Sequence, residues 1–190
     1  TKKEVIRTIP DTLLTGNRQK GLFKCSGSTL LKNGSVLLAT TQGLRAVEFD
    51  DHYNYRVLHA PSKSFDEVNH LLTFSVNKNA AGEILVTNSQ NVILFDELLN
   101  SYTILKQIRT IGETNWFNTV FCTLPDNSDN IWLGCSEGLG FIKSKADLFT
   151  PFSYDYHSNK KLEHVHSIYP MSDGNILAGL KNGLMQVNSK

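Results

Sequence analysis

Cysteine is scarce in this sequence. Three residues in 190, Cys25, Cys122 and Cys135, are too few and too widely spaced for a disulfide framework or a zinc pattern. They are expected to serve as small, partly buried apolar residues, with Cys122 and Cys135 facing each other across one hairpin. Long apolar runs are also missing: nothing approaches the ~18 residues of a membrane span. Charge of one sign is not in excess. Lys and Arg total 19, Asp and Glu 18, and the net charge is +1, so no basic face is advertised for nucleic acid. No signal-peptide pattern opens the chain, which begins at Thr1 and is therefore expected to be an excised or processed piece. Helix signals are nearly absent. The best candidate, SFDEVNHLL from Ser64, has an N-cap style start but runs straight into a strand pattern.

What is present is one hairpin, written four times. KNGSVLLATTQGLRAVEFD, AAGEILVTNSQNVILFDE, NSDNIWLGCSEGLGFIK and SDGNILAGLKNGLMQVNSK each hold a polar turn, an apolar run, a second turn and another apolar run. The second-turn residues Gly43, Asn91, Gly138 and Gly183 are 48, 47 and 45 residues apart. A period in this range marks a repeat architecture. Asn33-Gly34 and Asp173-Gly174 suit tight hairpins, and positive φ is expected at Gly138, Gly183 and Asn91. The runs Val36-Leu37-Leu38, Ile84-Leu85-Val86 and Ile131-Trp132-Leu133 are continuous, not alternating, which predicts strands buried on both faces. Trp132 is expected inside, and Gly134, Ala39, Thr87 and Ala178 are expected where strands crowd together.

Upstream of each hairpin lies a further strand pattern (STLLK, HLLTFSV, NTVFCTL, VHSIYPM). Downstream of three lies another (NYRVLHA, SYTILKQI, LFTPFSYDY). Four strands, A to D, in each repeat of this length match a β-propeller blade. The fold class is thus all-β, a propeller of four-stranded antiparallel blades. Its expected division is 1–12 as an orphan outer strand, then blades at 21–65, 66–111, 112–157 and 158–190, the last without its own D strand. Either Glu4–Ile9 pairs with Leu184–Asn188 and closes a ring of four, or the chain is an arc of a larger ring.

The motif DNIWLGCSEGLGFIK resembles the two-component regulator propeller repeat, with Trp132, Gly134, Gly138 and Leu139 in register. SDGNILAGLKNGL keeps Asp173, Gly174, Asn175, Gly183 and Leu184 but has Leu177 where tryptophan is expected. The first blade keeps Gly21-Leu22 and Gly43-Leu44, and the second has lost both pairs. The resemblance implies a periplasmic ligand-sensing segment of a hybrid two-component regulator of the Bacteroidetes type, responding to a poly- or oligosaccharide. Membrane-spanning, kinase and DNA-binding parts would then lie outside this chain. WD40, kelch and Asp-box patterns are absent from the letters.

No nucleophile motif, phosphate loop or cofactor signature is found, so no enzyme activity and no cofactor are expected. His164 and His166, with His157 near, have no specific metal spacing and are read as solvated or packed histidines. Asp50-Asp51, Asp66-Glu67 and Asp96-Glu97 sit at strand ends and point opposite ways. Loops on a rigid scaffold are the usual place for binding. The rim made by D–A and B–C connections carries the candidates: Trp116 for apolar contact, Asn115, Asn118 and Glu137 in the same blade, and Arg18, Lys20, His70 and Lys181 from others. The expected partner is an oligosaccharide. The alternative is an interaction or dimerisation scaffold that meets a second copy or neighbouring blades.

Overall fold

The computed structural model describes residues 24–52, 54–58, 72–88, 91–105, 119–126, 128, 130–143, 149–152, 154–155 and 160–188. Every helix or strand among them is a β-strand. Strands β1 (Cys25–Leu30), β2 (Val36–Thr40), β3 (Gly43–Phe49) and β4 (Tyr55–Leu58) form an antiparallel sheet in chain order. A second such sheet holds β5 (Thr73–Lys78), β6 (Ile84–Asn88), β7 (Val92–Phe95) and β8 (Tyr102–Leu105). A third holds β9 (Val120–Pro125), β10 (Ile131–Cys135), β11 (Gly138–Ile142) and β12 (Phe149–Phe152). The chain then makes a two-residue ladder between β13 (Tyr154–Asp155) and β14 (Lys160–Lys161). It ends in a three-stranded sheet, β15 (Val165–Pro170), β16 (Ile176–Leu180) and β17 (Gly183–Val187). The strand patterns legible in the sequence fall on these elements. The exception is LFTPFSYDY, which splits: β12 joins the third sheet and β13 turns away to pair with Lys160–Lys161.

One turn recurs between the first and second strands. Leu31 N donates to Ser35 O (2.8 Å) and Gly34 N to Leu31 O (3.0 Å). Asn79, Gly82 and Glu83 repeat the pattern, as do Met171, Gly174 and Asn175. The glycines sit at φ 84, 87 and 84°, a region where a Cβ is penalised. The second turns differ among the sheets. Gly43, Gly138 and Gly183 have φ of 100, 137 and 145°, but Asn91 does not adopt positive φ, contrary to the sequence reading. There the turn is closed differently: Asn88 N donates to Asn91 O, and Asn91 N to the Asn88 side-chain oxygen (2.7 Å). The Asn88 amide supplies a local partner, so the left-handed residue is not needed.

The core consists of three layers between four sheets. Leu37, Ala39, Leu44 and Ala46 of the first sheet pack on Ile84, Val86, Ile93 and Phe95 of the second. The other face of the second sheet, Leu85 and Val92, packs on Val120, Ile131, Leu133, Cys135 and Ile142 of the third. Leu139, on the far face of the third, packs on Val165 and Ala178 of the fourth. All five residues of β6 and of β10 are therefore buried, which is why those runs do not alternate. Trp132 is buried as expected and packs on Phe141 at 4.7 Å.

Among the described residues the stack ends at the fourth sheet. Leu44, Val92, Leu139 and Leu184 occupy equivalent register positions. The first three are 1%, 0% and 0% exposed, and Leu184 is 74% exposed. Tyr169, on the same face, is exposed too. Among the described residues the first strands pack in series, β1 on β5, β5 on β9 and β9 on β15, and no comparable packing brings β15 back to β1. Pairing of Glu4–Ile9 with β17 lies outside the described residues, as does the stretch from Ser64 to Leu71.

Candidate rim site

Residues of opposite sequence position meet on one edge of the stack. The end of each second strand pairs with the start of the first: Thr40 with Cys25, Asn88 with Thr73, Cys135 with Val120 and Leu180 with Val165. The turns that follow the second strands and the connections that precede the first strands therefore share an edge. This is the rim on which the sequence candidates were placed.

The first strands are tied to one another along their length. Ser26 Oγ donates to Thr73 O (3.1 Å), Asn77 Nδ2 to Thr123 O (2.7 Å) and Cys122 Sγ to Val165 O (3.8 Å). Close approach needs small residues behind these strands. A Cβ on Gly134 would clash with Cys122 Sγ and lie 2.6 Å from Val165 O. The residues equivalent to Gly134 in the register are Ala39, Thr87 and Gly179. The fourth is Gly179 and not Ala178, which faces the third sheet instead.

Each first strand also breaks register once, leaving Ser26, Phe74, Phe121 and His166 without a cross-strand partner. Phe74 meets Phe121 edge to face at 5.6 Å. Phe121 lies 4.6 Å from the His166 ring and 5.9 Å from that of His164. His164 and His166 stack at 5.8 Å with an interplanar angle of 22°. Rings stacked in this way do not aim two nitrogens at one point, and no metal-binding group of three residues occurs among the described residues. His157 lies outside them.

Of the eight sequence candidates, two are described. Glu137, half-buried in the β10–β11 turn, pairs with Lys161 of β14. Lys181 is exposed in the equivalent β16–β17 turn. Trp116, Asn115, Asn118, Arg18, Lys20 and His70 lie outside the described residues. Sequence reasoning did not single out Phe74 or Phe121. Their signal is positional: with Ser26 and His166 they follow the repeat at 48, 47 and 45 residues. Two further polar atoms on this edge, Gln42 Oε1 and Ser136 Oγ, are buried with no hydrogen-bond partner.

The cysteines separate. Cys122 pairs in register with Gly134 and Cys135 with Val120, so the two thiols lie on opposite faces of the third sheet. All three cysteines are free. Burial pushes the Cys122 thiol up to about 12 and the Cys135 thiol well above its ordinary value. Neither is a nucleophile at neutral pH. Asp50 and Asp96 cap their own turns, accepting backbone N–H bonds from His52 and Asn54 and from Leu98, Asn100 and Ser101.

This all-β stack of antiparallel sheets has the fold of several solved bacterial proteins. The extracellular domain of BT3049 from B. thetaiotaomicron, described as a hybrid two-component system, superposes with a TM-score of 0.63 at 17% identity. The match covers 87% of this chain and 22% of that one. The extracellular domain of BT4673 from the same organism, described as a one-component system, gives a TM-score of 0.65 at 12% identity over 95% and 23% of the two chains. Virginiamycin B lyase from Staphylococcus aureus, solved with quinupristin, gives 0.60 at 12% identity over 88% and 53%. The chain thus spans less than a quarter of the two B. thetaiotaomicron proteins. No protein-family model matches it, and no curated protein sequence does.

Proposed function

We propose that this chain is an arc of a β-propeller from the extracytoplasmic, periplasmic sensor region of a two-component regulator, and that it binds an oligosaccharide on the rim described above. The observation that carries the reading is the recurrence of one hairpin, with the same turn hydrogen bonds and the same first-strand break, in a chain whose fold is shared with extracellular domains of bacterial signalling systems. The rim contributes Glu137 and Lys181, together with Trp116, Asn115, Asn118, Arg18, Lys20 and His70 from the connections that reach it in sequence. A ligand touching connections of several blades would favour one arrangement of those blades, and only such differential binding can signal. Kinase activity would reside outside this segment, which binds and does not catalyse.

Calorimetry against plant and host oligosaccharides tests the reading, with saturable binding to at least one expected. The uncovered face bearing Leu184 and Tyr169 favours one rival, a scaffold that meets a second copy or a neighbouring blade. A silent panel, with concentration-dependent self-association in ultracentrifugation, would replace the sensor reading by that one.

A further inference from the structure

The four register breaks are one device repeated. A bulge leaves a residue unpaired and re-aims its side chain, and bulges gather at rims and functional sites. Here three of the four re-aimed side chains are rings, and they touch in series across β5, β9 and β15. Phe74 and Phe121 are half-buried and His166 is exposed, so the row keeps ring surface open to solvent. His164 adds a second imidazole. Its backbone is held at φ 50°, a conformation unfavourable for a side-chain-bearing residue, while its N–H donates to Ser136 O (2.9 Å). Unpartnered Ser136 Oγ and Gln42 Oε1 lie on the same edge.

We infer that Phe74, Phe121, His164 and His166 form a stacking track for the pyranose rings of a neutral oligosaccharide. The inference rests on the sensor reading and assigns that reading its contact surface. A pyranose presents an apolar C–H face that lies against an aromatic ring, and hydroxyls around its edge that need donors and acceptors. The two phenyl rings supply the first. The two imidazoles supply the second through their ring nitrogens. None of the four track residues is a carboxylate, lysine or arginine, and Glu137 and Lys161 on the same edge pair with each other, so the track itself offers no selection for a polyanion.

The test is titration calorimetry of the whole chain with cello-, xylo-, manno- and galacto-oligosaccharides, and with chondroitin sulfate fragments as an anionic arm. Phe121→Leu keeps apolar volume while removing the ring, and His166→Ala alters an exposed side chain, so both variants are expected to keep the parent melting temperature. Each should weaken binding of a neutral sugar about ten- to a hundredfold, the range of other aromatic stacking contacts. If a sugar binds and only Trp116→Ala weakens it, the track is overturned and the sensor reading stands. Binding confined to the sulfated fragments overturns the neutral-sugar assignment. A wholly silent panel overturns both.

Discussion

Phe121 and His166 stand 45 residues apart in sequence, with ring centroids 4.6 Å apart. Neither is paired across its own sheet. They meet because β9 and β15 both slip register at the same place and because Gly134 lets the third sheet approach Val165. The contact depends on the repeat and not on local sequence: it brings together the same position of two successive units.

Trp132 should carry much of the third sheet's stability. It is 5% exposed and packed on Phe141. Trp132→Ala is expected to cost about 3–5 kcal/mol in a denaturant melt, the range for a large aromatic removed from a core. A loss under about 1 kcal/mol would show that the indole is not a packing element.

The second turns should respond unequally. Gly138→Val forces a β-branched residue to φ near 137° and should cost at least ~1 kcal/mol. Asn91→Gly should change little, because Asn91 is not left-handed. Asn88→Ala should cost about 1–3 kcal/mol, because it removes the acceptor of the Asn91 N–H. Equal losses at Asn88 and Asn91 would contradict the capped turn.

Thiol reactivity should be divided one against two. Cys25 is exposed and should react with an aromatic disulfide reagent in the native protein near pH 8. Cys122, pushed up to about 12, and the buried Cys135 stay protonated there and should react only after unfolding. Two fast-reacting thiols in native protein would refute the burial of the pair.

Equivalent leucines should differ in cost. Leu139→Ala empties a fully buried position and should cost about 2–5 kcal/mol. Leu184→Lys, at the matching place in the fourth sheet, should stay within about 0.5 kcal/mol, as for other exposed positions. The check is a pair of urea melts of the monomeric protein. A large loss at Leu184 would mean that something covers that face in solution.

The sheets were legible in the sequence because turn glycines and doubly buried runs are demanded by backbone geometry and burial, and both leave letters. Gly34, Gly43, Gly138, Gly174 and Gly183 all sit where a Cβ is penalised. Asn91 misled because its neighbour Asn88 closes the turn by another route. Counting back four residues from each turn position finds Gly134 and Gly179, as the register does. The aromatic row was not legible. A bulge constrains the backbone of one residue without dictating its side chain, and Ser26, Phe74, Phe121 and His166 share no chemistry. Of the rim candidates, Glu137 was correctly placed on its turn, and its pairing with Lys161 depends on the short β13–β14 ladder that the sequence did not reveal.

The first-strand break also separates what holds this protein together from what it presents. At three of the four breaks the residue, Phe74, Phe121 or His166, has no ladder partner to satisfy, whereas Ser26 ties its sheet to the next through Thr73 O, and the layers behind are built by other positions. Serine, phenylalanine and histidine already occupy the same mount within a single chain. The surface chemistry of the rim can therefore be rewritten at those three positions, leaving strand register and layer packing as they are. Divergence among such domains should concentrate at these mounts, where a change of side chain alters what is recognised at little cost to folding.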